Sequence, residues 1–287
     1  MSSFILYTYQ CYPITILDNG LFGHLPPMQE RMDKKLEYIH SIITNSKFKF
    51  RGKQTGEFNH KIYYDEGGII VLKIANNKHM NLEENFMKKE HNYFPSCFII
   101  MDNRNNIQRI AIEEDITAFS STNVVMNIIE YSLRCFLQEY GLNIELKKEY
   151  EKKEFWNLIK NQTKGISMVR FCFSYPNLPR VHQSINDLIN SESKVVHSKH
   201  TTLEYRTDES EQLELKESNI QLSGLVDASA SSGHPITIKV KGIRSFIKTG
   251  NTTKRIYIDD LEANLREGND FFQNTSAKII EALNSVK

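Results

Sequence analysis

Between His60 and Glu113 four short runs rich in branched and aromatic residues follow one another: His60 to Tyr64, Gly68 to Ala75, Phe98 to Asp102 and Ile107 to Glu113. Turn residues, Asp65-Glu66-Gly67-Gly68 and Asp102 to Asn106, join the first run to the second and the third to the fourth. Connections this short return the chain antiparallel, because a parallel neighbour requires a crossover of a dozen residues or more. An antiparallel meander is therefore expected. Asn123 to Tyr140 then places Val124, Val125, Ile128, Ile129, Leu133, Phe136 and Leu137 at helical spacing, with Gly141 where a left-handed C-cap belongs. A helix apolar over so wide an arc should lie on the meander.

The flanking segments alternate between the same two periods. A strand is expected over residues 3–16 and a helix from Met28 through Ile43, since Met28, Met32, Leu36, Ile39, Ile42 and Ile43 recur at intervals of three and four. Leu142 to Leu146 reads as a short strand, and the charged run Lys147 to Glu154 as the first turns of a helix leading into Phe155 and Trp156, which belong in a core. The segment after Gly165, Ile166 to Tyr175, is the most strand-like in the chain and should run through the middle of a second sheet. A helix is expected over Val181 to Ile189 and a strand over Thr201 to Tyr205. An acidic-faced helix capped by Asp208 or Ser210 should follow and end at Gly233. Ile236, Ile238 and Val240 alternate with Thr237, Lys239 and Lys241, a half-buried strand, and Gly250-Asn251 offers a turn to a partner strand, Thr253 to Ile258. A last helix starts near Asp270. The expectation is an α+β protein of two lobes, each a mainly antiparallel sheet covered by helices: residues 1–150 with the meander, residues 151–287 with a basic β-hairpin.

Charge placement supplies the candidate site. The chain has a net charge of only +1, yet Glu204, Asp208, Glu209, Glu211, Glu214 and Glu217 crowd one stretch, and no acid occurs from Ala228 to Tyr257. Lys239, Lys241, Arg244, Lys248, Lys254 and Arg255 stand in that acid-free span. Lysines and arginines on one sheet face neutralise phosphates, and Phe246 or Tyr257 can stack on a base if exposed. A second basic segment, Lys47 to Lys53, interleaves Lys47, Lys49 and Arg51 with Phe48 and Phe50. Its plainer reading is a strand or loop with both phenylalanines buried and the cations outward. The plainer reading of the first is a solvated sheet face whose lysines discourage edge pairing.

Other chemistries find less support. Glu145-Leu146-Lys147 has the Glu-x-Lys spacing of metal-dependent nucleases, with Glu113, Glu114 and Asp115 as partner acids upstream. Glu214-Leu215-Lys216 repeats that spacing on an expected helix, where it does not share a face. His197 and His200 fall on opposite faces of a strand, with no adjacent cysteine to complete a metal site. Cys11, Cys97, Cys135 and Cys172 are far apart, and three of them sit among apolar residues that should bury them as reduced thiols. No glycine cradle for nucleotides or nucleophile elbow is present, so no cofactor is expected. No apolar run approaches the ~18 residues of a membrane span. The expected function is a non-enzymatic cytoplasmic accessory or sensor subunit, of the type found in bacterial defence or mobile-element systems, binding nucleic acid or a protein partner. A metal-dependent nuclease using Glu145 and Lys147, and a structural homo-oligomer joined through the apolar helix stripes, are the alternatives.

Overall fold

The computed structural model describes residues 2–14, 25–54, 56–84, 86–105, 107–174, 200–208, 210–259, 261 and 277–283. The helix expected over Val181 to Ile189, His197 and the start of the last helix lie outside the described residues. The protein is mixed α+β, and its chain forms two compact units, one of residues 1–6, 13–144 and 255–287 and the other of residues 7–12 and 145–254.

In the first unit the meander is present: β3 (Glu57–Glu66), β4 (Ile69–Ala75), β7 (Ser96–Asp102) and β8 (Arg109–Glu113) pair antiparallel in that order. The sheet is extended by β2 (Phe50–Arg51) beyond β3, and beyond β8 by β1 (Ser2–Pro13) and then β14 (Arg255–Ile258); β9 (Leu142–Lys148) also pairs with β1. β4 and β7 are buried on both faces. On one face Ile69, Val71 and Ile100 join Phe4, Leu6, Ile256, Ile258 and Ile279 of the 277–283 helix in a single cluster. The expected long helix, α3 (Thr122–Leu137), contacts β2, β8 and a preceding helix, and buries Val125, Ile128, Ile129, Leu133 and Leu137. Gly141 follows a short 3-10 turn at φ 63°, the left-handed cap anticipated for it. The helix expected from Met28 to Ile43 is instead two, α1 (Met28–Asp33) and α2 (Lys35–Thr44), because Lys34 leaves helical geometry at φ −89° and ψ 2°.

Between β4 and β7 stands a hairpin that sequence patterning does not reveal, β5 (Lys78–Glu84) paired with β6 (Met87–Tyr93). Charged residues occupy both strands and β6 is exposed at every position, so no apolar alternation marks it.

The second unit has a four-stranded antiparallel sheet in the order β11 (His200–Arg206), β10 (Ile166–Ser174), β12 (Thr237–Val240) and β13 (Ile247–Lys248). As expected, β10 is internal. Val169, Phe171 and Phe173 point from it into a core with Ile238 and Val240, closed by Phe155 and Trp156 of α4 (Lys153–Lys160) and by Leu222, Leu225 and Val226 of α5 (Ile220–Ser231).

Two expectations fail here. Asp208, Glu211, Glu214 and Glu217 are not helical: α5 begins only after Asn219, whose side-chain oxygen accepts from the backbone N–H of Gln221 and Leu222. Residues 211–216 are irregular, and Leu213 and Leu215, spaced by two, both pack on the core. A spacing of two suits an extended chain and not one face of a helix. The second failure is the basic hairpin. β12 turns back much earlier than Gly250, at Lys241-Gly242 with Gly242 at φ 71°, and pairs with the two-residue β13. Thr253 to Ile258 does not partner β12; β14 pairs with β1, Ser2 opposite Ile258 and Ile5 opposite Arg255. Its Ile256 and Ile258 alternate inward to the first unit's core, and that burial decides the pairing.

The charged run Lys147 to Glu154 is also not one helix. Lys147 and Lys148 end β9, Glu149 is buried, and α4 begins at Lys153. Among the described residues no helix is long and apolar enough to cross a membrane.

Candidate nucleic-acid interface

The nine basic residues singled out from sequence fall into three settings. Lys47, Lys49 and Arg51 belong to the first unit. Phe48 and Phe50 beside them are buried and meet edge to face at 5.0 Å, and both contact His60, so the plainer reading of this segment holds. Two of its cations have local partners. Lys49 Nζ is 3.2 Å from Glu57, and the Arg51 guanidinium lies 5.7 Å over the Phe136 ring and 3.9 Å from the same carboxylate. No exposed ring from this segment is left to receive a base.

Lys254 and Arg255 are removed from the patch by the pairing of β14. Lys254 is only 8% exposed and sits 3.7 Å from the buried Glu149. Arg255 donates from Nε and Nη2 to Glu114 at 3.0 and 3.3 Å, which holds the guanidinium above its ordinary range, through the hydrogen bond first. Both are structural ion pairs.

Lys239, Lys241, Arg244 and Lys248 remain, all in the second unit, and of these Lys239 and Lys241 line an open groove of about 610 Å³. Strand period places Lys239 away from the core that Ile238 and Val240 enter. Lys239 Nζ donates to the Arg244 carbonyl at 2.6 Å and lies 5.1 Å over the ring of Phe246, which is 53% exposed. Across the groove, at the end of β11, stands Arg206, unmarked by sequence patterning because its partner strand and register decide its position. Register sets Met168 opposite both Arg206 and Lys239, so β10 is the floor on which the two cations meet. Arg206 pairs with the Glu204 carboxylate at 2.9 Å, which it shares with Arg170. Those two guanidiniums, Arg170 first, hold the Glu204 carboxyl below the usual range. Lys164 Nζ comes near Gly242 at the same rim. Among the acids of the irregular 211–216 stretch, Glu214 is paired with Lys216 at 2.9 Å.

The nuclease constellation looks different in three dimensions. Glu145 is 3.3 Å from Lys147, whose ammonium also meets His234 Nε2 at 2.7 Å. Glu113 accepts from Ser2 and from the Phe98 backbone N–H, and Glu114 from Ser3 and Arg255. Asp115 is held below the usual carboxylate range against the pull of its own burial, because Thr117 and Ala118 donate to it. Among the described residues, the grouping of three or more His, Cys, Asp or Glu that could hold a metal ion is Cys172, His200 and His234, and no carboxylate belongs to it. Cys11 and Cys97 are buried, whereas Cys135 and Cys172 are half-exposed, so two thiols rather than three are enclosed.

No family model, curated protein or solved structure matches this chain.

Proposed function

We propose that the second unit binds single-stranded nucleic acid in the groove beside β12, and that the protein acts as a non-enzymatic accessory or sensor subunit. The observation that carries this reading is the grouping of Arg206, Lys239 and Lys241 around an open groove with the exposed ring of Phe246 at its edge. Cations grouped along one groove neutralise a phosphate backbone, and an exposed ring beside them gives one base a face to stack on. An unpaired strand is the substrate because only unstacked bases offer that face. The proposed compartment is the cytoplasm, where four free thiols stay reduced.

Anisotropy of a short labelled oligonucleotide tests this. Binding should weaken steeply with salt, and Lys239→Glu with Lys241→Glu should abolish it, the lost contacts accounting for a log–log slope of about 1.4 at ~0.7 per phosphate. Phe246→Ala should cost about 1–3 kcal/mol on a single strand. Absence of binding at low salt, or binding that survives the double charge reversal, refutes the reading. A scattering mass above 33.4 kDa without nucleic acid would favour the assembly alternative.

A further inference from the structure

The far end of β10 gathers a second set of groups, distinct from the groove. Ser174 pairs with His200 and Cys172 with Thr202, so the two-residue period puts Cys172 and His200 on one face as diagonal neighbours. That face is opposite the one Phe171 and Phe173 bury. His234 reaches the same place from the connection between α5 and β12, where Gly233 at φ 68° turns the chain. One donor atom from each of the three residues lies within 4.8 Å of the others.

We propose that Cys172, His200 and His234 bind one Zn²⁺ ion, with a fourth coordination position left open. A thiolate and two imidazoles are soft and borderline donors, the set that takes zinc in preference to magnesium or calcium, and the absence of a carboxylate from the group points the same way. Tetrahedral zinc, with bonds of about 2.3 Å to sulfur and about 2.0–2.1 Å to nitrogen, holds its donors roughly 3.4–3.6 Å apart. Closing from 4.8 Å therefore asks for about 1 Å of side-chain movement, which the exposed His200 can supply by turning about its own bonds.

His234 is prepared for the role. It is 4% exposed, and its Nδ1 lies 3.1 Å from the Ser232 carbonyl, an acceptor that fixes the proton on Nδ1 and leaves the Nε2 lone pair to ligate. Lys147 Nζ lies 2.7 Å from that Nε2, and Glu145 stands 3.3 Å from the same ammonium. A metal ion displaces one cation with another, and Glu145 gives the displaced ammonium a place to go.

Chelator-stripped full-length protein is equilibrated with Zn²⁺ against a competing chelator of known affinity and its metal content measured. One equivalent per chain is expected, with at least ~100-fold weaker binding in both Cys172→Ser and His200→Ala. Co²⁺ in place of zinc should give a thiolate-to-metal charge-transfer absorption that Cys172→Ser loses. Both positions lie on the open sheet face, so the variants should keep the native fluorescence of Trp156, which packs in the core of that unit. Zinc should also protect Cys172 from alkylation while the half-exposed Cys135 reacts at an unchanged rate. A parent protein that retains no zinc, or either variant retaining the parent affinity, overturns the proposal.

Discussion

Glu154 offers the sharpest test of how the second unit is held. It is the second residue of α4 and 8% exposed, and its carboxylate accepts from three consecutive backbone N–H groups: Gly250 at 3.1 Å, Asn251 at 3.1 Å and Thr252 at 2.9 Å. The Asn251 side-chain amide adds a fourth contact at 3.3 Å. This one side chain therefore closes the loop between β13 and β14. A hydrogen bond to a charged group is worth about 1.5–3 kcal/mol, and the loop can partly rehydrate when the carboxylate is lost. Taking the low value for the three backbone bonds, Glu154→Ala should destabilise the unit by roughly 4 kcal/mol. The assay is built into the chain: its single tryptophan, Trp156, is buried two residues away and stacks edge to face on Phe155 at 4.9 Å. Tryptophan fluorescence thus follows unfolding of this unit alone. With a slope of about 1.5 kcal/mol per molar urea, the midpoint should fall by about 2.5 M, and Glu154→Gln, which keeps one acceptor oxygen, by roughly half as much. A fall below about 0.5 M at unchanged slope would show that solvent serves those N–H groups as well as the carboxylate does.

Three further outcomes follow from local geometry. Cys97 is 1% exposed and its thiol is pushed up to about 12 by burial, with Glu113 adding to the shift; in native protein it should resist iodoacetamide at pH 8 while the half-exposed Cys135 reacts, and equal rates by mass spectrometry would refute this. His60 is held below its ordinary pKa of 6.5 by burial between Phe48 and Phe50 and then by Lys49. The folded form thus binds its proton less readily than the unfolded chain, so stability is complete above pH 6.5 and falls as the solution is acidified through the folded pKa, and the NMR titration midpoint of His60 should lie below 6.5. Gly233→Ala should cost about 3 kcal/mol in the Trp156 assay, because a Cβ there meets the Lys148 carbonyl oxygen at 2.6 Å in a left-handed backbone that already disfavours alanine.

What could be read in the chain was whatever one segment decides alone. The meander strands, α3 with its glycine cap, and β10 as a central strand each carry their own period and their own punctuation. Pairing choices between distant segments could not be read. Thr253 to Ile258 has the alternation of a partner for β12, and only the burial of Ile256 and Ile258 beside Phe4 and Leu6 sends it to β1. With that choice the expected patch of six cations loses Lys254 and Arg255 to ion pairs and gains Arg206 from β11, on the far side of β10.

The same dependence on pairing explains why His200 looked isolated. Its nearest histidine in sequence, His197, is three residues away and on a strand would face the other side, which argues against a metal site. Antiparallel register replaces sequence neighbours with spatial ones: pairing Ser174 with His200 brings Cys172, 28 positions earlier, to the adjacent place on the same face, and the turn at Gly233 adds His234 from 34 positions later. Charge runs mislead for the converse reason. Glu149 and Glu154 read as members of one charged run opening a helix, yet one is buried against Lys254 and the other caps a loop. A carboxylate inside a folded unit must be paired or hydrogen-bonded, so the acids of that run that matter are those whose partners lie some hundred residues away.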